Sequence, residues 1–204
     1  MSSGHYFDAE PAVPSRRRRV ALSIPDLDAE LVTDTGVFSH DRVDPGTKLL
    51  LLEGPPTPPG ATHLLDLGCG YGPLAVALAH RAPGATVWAV DVNARARALC
   101  RENAAERGLE NVVVVAPDEM PDDVRLDAVF SNPPVRIGKA RLHDLLTHWL
   151  HRLAPGRGAH LVVARNLGAD SLAAWLDSEG WSTRRRASRR GYRLLDVQQP
   201  SAGR

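Results

Sequence analysis

Three observations predict an α/β fold: a doubly wound parallel sheet with helices on both faces and an N-terminal β-hairpin extension. From Ala61 onward, short apolar runs alternate with helix-length segments, the pattern of βαβ units whose sheet is covered on both sides. Near the end, two strand-like runs are joined tightly through Gly191, so they should pair antiparallel. Between the extension and the core lies Glu53–Gly60, EGPPTPPG, a proline-rich linker. It divides an extension over residues 1–60, packed on the core, from a core domain over residues 61–200.

The elements follow in order. Residues 1–15 are polar, with Pro11 and Pro14, and read as a loose lead-in. Arg16–Ile24 and Asp28–Thr33 alternate apolar and polar residues around Pro25-Asp26-Leu27 and predict the hairpin. Asp44-Pro45-Gly46 opens a short helix through the Lys48–Leu52 run. Strands are predicted at Thr62–Leu67, Thr86–Val90, Val112–Ala116, Leu126–Phe130, His160–Ala164, Ser182–Ser188 and Tyr192–Val197. Helices are predicted at Leu74–His80, Ala94–Arg107 ended by Gly108, Ala140–Leu153 ended by Pro155-Gly156, and Asp170–Glu179 ended by Gly180.

Composition excludes several classes. Apolar residues at 43% and charged residues at 24% are ordinary for a globular domain. The apolar runs are a few residues long, too short to span a bilayer. MSSGHYFDAE lacks the apolar stretch of a secretory signal, and cytoplasm is the expected compartment. Cys69 and Cys100 have no metal-type spacing. His143, His148 and His151 share one predicted helix but read as solvent-facing, so no metal is expected. A monomer is favoured. The net charge of +1 conceals clustering. Lys48 and Lys139 are the two lysines among 25 basic residues. Arginine runs occupy Arg16–Arg19 and the Arg184–Arg193 segment, either as solvated strand faces or as a track for a polyanion.

The chemistry concentrates at predicted strand ends. Asp66-Leu67-Gly68-Cys69-Gly70-Tyr71-Gly72 follows a strand and opens a helix. Glycines there let a ligand approach the backbone closely, beside free helix N–H groups. A dinucleotide fingerprint needs G-x-G-x-x-G, and here the third glycine comes one residue early. An acid at Asp66 would repel a pyrophosphate but could accept from an amino group. This favours S-adenosylmethionine over a dinucleotide. Cys69 reads as a packing residue without a catalytic partner. Asp91 ends the next strand, where a carboxylate takes ribose hydroxyls or caps the following helix. Asp118 follows the third strand, beside an adenine site or as an ordinary loop acid. Asn132-Pro133-Pro134-Val135 follows the fourth strand. Two prolines fix the backbone and remove two donors, leaving the Asn132 side-chain oxygen and the Pro133 carbonyl as acceptors. Fixed acceptors suit a planar NH2 group, whose hydrogens they can hold while its lone pair faces a methyl donor.

The pair DLGCGYG and SNPP resembles the class I S-adenosylmethionine-dependent amino methyltransferases. With Gly36-Val37-Phe38-Ser39, Asp44-Pro45-Gly46-Thr47, SNPPVRIGK and Gly191-Tyr192-Arg193, the chain resembles the "methyltransferase small" family over residues 5 to 198. Its best-known members resemble 16S ribosomal RNA guanine-N2 methyltransferases. The resemblance implies a seven-strand Rossmann-like sheet with its last strand antiparallel. It implies that Asp66, Gly68, Cys69 and Gly70 hold the methionine end of the cofactor, Asp91 and Val92 the ribose and Asp118 the adenine. Phe38 closes over the cofactor, and Asn132, Pro133 and Pro134 present the target amine. Val135 stands where many relatives carry an aromatic residue to stack the target base. With Val135, Arg136 and Lys139 would contact the substrate, since cations at a helix start call for an anion; the alternative is pairing with Asp144 or Asp127. The expected partner is ribosomal RNA or the small ribosomal subunit. Other readings are methylation of a protein glutamine, adenine N6 or a small molecule, or an RNA-binding module with a vestigial cofactor site.

Overall fold

The computed structural model describes residues 13–199; most of the predicted lead-in, residues 1–12, lies outside them. Strands β1 (Arg18–Ile24) and β2 (Leu27–Thr33) form the antiparallel hairpin, with Ile24 opposite Leu27 across a two-residue turn. Val20, Leu22 and Ile24 face inward and alternate with exposed neighbours. Helix α1 (Pro45–Glu53) begins at the N-cap Asp44, with Pro45 at its first position, where a missing N–H costs nothing.

The core sheet contains β3 (His63–Leu67), β4 (Thr86–Val90), β5 (Val112–Val115), β6 (Leu126–Ser131), β7 (Leu153–Ala164), β8 (Ser182–Arg189) and β9 (Tyr192–Gln198). Their order is β5-β4-β3-β6-β7-β9-β8, and only β9 runs antiparallel to its neighbours. Helices α2 (Pro73–Arg81) and α3 (Ala94–Ala105) follow β3 and β4; α4 (Lys139–Leu150) and α5 (Ala169–Ser178) follow β6 and β7. The strand period of two sends Leu64 to the core shared with the hairpin, α1, α2 and α3, and Leu65 and Leu67 to the core shared with α4 and α5. Asn103 of α3 satisfies the outer edge of β2: it accepts from the Val32 N–H at 2.7 Å and donates to the Val32 carbonyl at 2.8 Å.

One expected element is corrected. The helix predicted over Ala140–Leu153 stops at Leu150, and β7 starts at Leu153, running through Pro155-Gly156. Leu126 pairs with Leu153 but Ala128 pairs with Gly158, so the intervening residues bulge out of register. A bulge leaves positions without a ladder partner, which is where proline is tolerated in a strand.

β3 and β6 are neighbours at the centre, and the chain winds away from them in opposite directions. Their carboxyl ends therefore flank the topological switch point, where ligands bind in open α/β sheets. Leu67 pairs with Ser131 there, which sets the glycine loop beside Asn132-Pro133-Pro134.

Candidate active site

At this carboxyl edge lies a cleft of about 240 Å³. Its floor and one wall come from Leu67, Gly68, Gly70, Val90, Asp91 and Val92. The opposite wall comes from Asn132–Arg136, Ala164, Leu167 and Tyr192.

The glycine loop is shaped by its own backbone bonds. Gly68 N–H and Cys69 N–H both donate to the Val90 carbonyl, at 2.8 and 3.0 Å, and Gly70 N–H donates to Asp91 Oδ2 at 2.9 Å. Gly68 and Gly70 adopt φ of 76° and 56°, a region that penalises side chains, and a Cβ at either would meet no protein atom within 4 Å. Their conformation leaves bare backbone open to a ligand. Gly72 differs: its φ is 94°, and a Cβ would meet Cys100 Sγ at 2.7 Å. It is required for helix packing.

The acids divide between the cleft wall and the layer beneath it. Asp91 lines the cleft, its Oδ1 accepting from Asn93 N–H and its Oδ2 from Gly70 N–H, both at 2.9 Å. Burial raises its pKa. Each carboxylate oxygen retains acceptor capacity for a hydroxyl. Asp66 lies under the glycine loop, fully buried and outside the cleft lining. Its Oδ2 accepts from Ala75 N–H at 2.9 Å, its Oδ1 has no partner, and burial pushes its pKa up to about 8. Pro117, rather than Asp118, lines the wall after β5; Asp118 is exposed. Phe38 and Val92 border the cleft at 40% and 43% exposure. Cys69 is buried, and its pKa is raised by its hydrogen bond with Cys100 and by burial. It is not a ready thiolate.

Across the cleft, β6 ends with Ser131 donating to the Leu67 carbonyl at 2.7 Å. Asn132 Nδ2 then donates to Asp44 Oδ1 at 2.8 Å and to Thr47 Oγ1 at 3.0 Å. Both amide hydrogens are used, which leaves the Asn132 oxygen free of this clamp. Asp44 Oδ1 also accepts from Gly46 N–H at 2.8 Å and Thr47 N–H at 3.1 Å, so one carboxylate caps α1 and orients Asn132. Tyr192 O–H donates to Asp44 Oδ2 at 3.4 Å from the start of β9. The Pro133 carbonyl accepts from Val135 N–H at 2.8 Å and retains a second lone pair. Sequence reasoning singled out Asp44 and Thr47 as motif residues but not as partners of Asn132; their proximity arises only in the fold.

The basic residues behave unevenly. Arg17 pairs with Glu102, and Arg19 with Glu106 at 3.0 Å. Arg184 and Arg186 pair with Asp196 at 2.8 and 2.9 Å, and Arg189 with Glu53 at 3.3 Å. Much of each arginine run is therefore neutralised locally. Asp127 is engaged by Arg157 at 3.0 Å and by the Thr62 and His63 N–H groups, so it is not a partner of Arg136 or Lys139. Arg136 lines the cleft mouth, and Lys139 opens α4 outside the lining. His143 stacks on Trp175 with centroids 3.7 Å apart, and His151 Nδ1 contacts the Thr147 carbonyl. Among the described residues, no group of three or more His, Cys, Asp or Glu could hold a metal ion, and no helix is long and apolar enough to cross a membrane.

The cleft fits S-adenosylmethionine in its donor and acceptor chemistry: bare glycine backbone, a ribose-type carboxylate, apolar flanks and an unpartnered buried Asp66 oxygen beneath the loop. Comparisons with known proteins agree. The methyltransferase small domain model matches residues 28–196. YbxB, an uncharacterized Bacillus subtilis protein, is 32% identical over 86% of this chain and 88% of its own length. A Pseudomonas aeruginosa ribosomal RNA small subunit methyltransferase C is 37% identical over 76% of this chain, but this chain spans 47% of that protein. The solved T. thermophilus 16S rRNA N2 methyltransferase RsmC, in complex with AdoMet and guanosine, superposes with a TM-score of 0.75 at 25% identity, covering 93% of this chain and 52% of that one. A Pyrococcus furiosus methyltransferase superposes at 0.58 with 22% identity over 70% of this chain and 76% of its own, which shows the fold alone. The chain belongs to the methyltransferase small domain family and is a class I S-adenosylmethionine-dependent methyltransferase.

Proposed function

We propose that the protein methylates the exocyclic N2 amine of a guanine in small-subunit ribosomal RNA. The observation that carries the reading is the clamp on Asn132: Asp44 and Thr47 take both hydrogens of its amide nitrogen, so its oxygen is the atom available to a substrate. A fixed acceptor selects a hydrogen-bond donor, and a guanine N2 amine is a planar donor of that kind. Its lone pair is delocalised into the ring. Asn132 Oδ1 and the Pro133 carbonyl would accept its two hydrogens and hold the lone pair on the reacting side. Gly68, Gly70 and Asp91 would bind the cofactor, with Asp66 supporting the loop from below. S-adenosylmethionine supplies a methyl carbon on a sulfonium sulfur, which keeps the bonding pair as the new N–C bond forms. The amine then sheds one proton to solvent. The small-subunit RNA reading is supported by the names of the Pseudomonas and Thermus relatives, which this chain matches over about half their length.

The test is methyl transfer from labelled S-adenosylmethionine to 16S RNA, 30S particles and bulk protein from a strain lacking the enzyme, followed by nucleoside analysis. Label in N2-methylguanosine is expected. Label in protein, or in another nucleoside, would overturn the guanine reading.

A further inference from the structure

We propose that the half of the carboxyl edge formed by β6, β7 and β9 is a docking surface for the phosphate backbone of a single-stranded RNA, held by Arg136, Lys139, Arg165 and Arg190. The inference rests on the ribosomal RNA reading and assigns it a surface.

The first observation is a contrast in pairing. Six of the ten arginines in the two sequence runs have carboxylate partners, as do Arg81, Arg95 and Arg157 elsewhere. Arg136, Lys139, Arg165 and Arg190 are exposed, and their side chains make no hydrogen bond or ion pair within the described residues. They are also adjacent to the cleft wall. Arg136 lines it, with Lys139 three residues on. Arg165 lies between Ala164 and Leu167, both lining residues, and its N–H donates to the Gly191 carbonyl at 2.7 Å. Arg190 precedes that glycine, and Tyr192 after it lines the cleft again. Because β9 is antiparallel, its first residue pairs with the last of β7, which brings the Arg190 turn to the same edge as Arg165.

One of these placements carries a cost that an anion would offset. Lys139 occupies the first turn of α4, just after Arg136, where the helix dipole disfavours cations, and that turn holds no acid. Several nearby acids are already engaged: Asp44 by the Asn132 clamp, Asp170 by Arg193, Asp196 by Arg184 and Arg186, and Glu53 by Arg189. Within the described residues, Asp144 on α4 pairs with neither Arg136 nor Lys139. The opposite half of the edge carries Asp91, Asp118 and Glu119, with Arg97 held on the Asp91 and Val92 carbonyls. An unpartnered row of cations fits a repeating anion, which an RNA backbone supplies as one phosphate per nucleotide. The strand must be unpaired at the target, because a base pair would take one of the two N2 hydrogens that Asn132 and Pro133 are to accept.

The test measures binding of a short labelled single-stranded RNA of mixed sequence to the full chain as a function of salt. Removing three phosphate contacts lowers the slope of log affinity against log salt by roughly 2, at about 0.7 per contact on a single strand. The triple variant Arg136→Gln, Arg165→Gln, Arg190→Gln should show that drop. Arg17→Gln, Arg19→Gln, Arg81→Gln makes the same change in net charge at paired positions and should keep the native slope. The corresponding Arg→Lys triple at the edge should restore it, which separates charge from folding. Equal loss in both Gln triples, no loss in either, or no rescue by lysine would overturn the surface. No methyl transfer is read, so a wrong base in the nucleoside analysis leaves this result standing. Failure here likewise leaves the guanine reading untouched.

Discussion

Asp66→Asn should flatten the pH dependence of stability in the cofactor-free protein. The Asp66 carboxyl is fully buried, with one oxygen on Ala75 N–H at 2.9 Å and the other without a partner. Burial holds its pKa at about 8, against an ordinary value of 3.8. In the unfolded chain the proton leaves near the ordinary value; in the native state it stays until near pH 8. Between the two, the unfolded chain binds fewer protons, so native stability falls as pH rises. The slope approaches about 1.4 kcal/mol per pH unit, or roughly 3 kcal/mol between pH 5 and 7.5. Below the unfolded pKa the penalty is absent, and above the folded one it is complete. Asparagine carries no titrating proton and keeps an oxygen for Ala75, while its unsatisfied NH2 costs about 1–3 kcal/mol at every pH. The variant should therefore be the weaker protein near pH 5 and draw level or ahead near pH 7.5. Urea unfolding of both proteins across that range reads the difference directly. Two curves that stay parallel would refute the assignment of a protonated, buried Asp66.

Three further outcomes are expected. Asn132→Ala should leave S-adenosylmethionine affinity, read by calorimetry, near the native value while turnover falls by about 3 kcal/mol, roughly a hundredfold, as for loss of one transition-state hydrogen-bond partner. Thr47→Val removes one of the two acceptors that orient Asn132; turnover should drop by about 1 kcal/mol, or several-fold, in single-turnover kinetics, with thermal stability changing little. Gly72→Ala forces a Cβ to within 2.7 Å of Cys100 Sγ at φ of 94°, and it should cost about 1–3 kcal/mol of stability by chemical denaturation.

Local chemistry made most of the fold legible. Thr86–Val90 has the same bounds in sequence and structure because β-branched and apolar residues alternate between clear breaks. The glycine loop was readable from its spacing and its place after a strand. What escaped reading depends on distant partners. The β7 strand runs through Pro155-Gly156, a pair that reads as a break, because pairing with β6 tolerates the bulge. The arginine runs looked like possible tracks; Arg17 and Arg19 instead meet Glu102 and Glu106, 85 and 87 residues away. Asp44 was legible as a helix opening and a motif residue, but nothing in its neighbourhood indicates that Asn132, 88 residues later, shares the same oxygen. Asp118 has the expected place in the chain but is exposed and outside the cleft lining, where Pro117 stands instead.

Asp44 also has a temporal consequence. It binds Asn132 from 88 residues upstream and receives Tyr192 from 148 residues downstream. Any contiguous fragment that holds all three must span residues 44–192. During synthesis, the glycine loop and the Asn132 turn leave the ribosome before the strand that carries Tyr192. A nascent chain thus holds the parts of a methyl-transfer site before it holds their arrangement. The arrangement is complete only when β9 inserts antiparallel between β7 and β8, so the cleft is finished by a strand made after every other part of it.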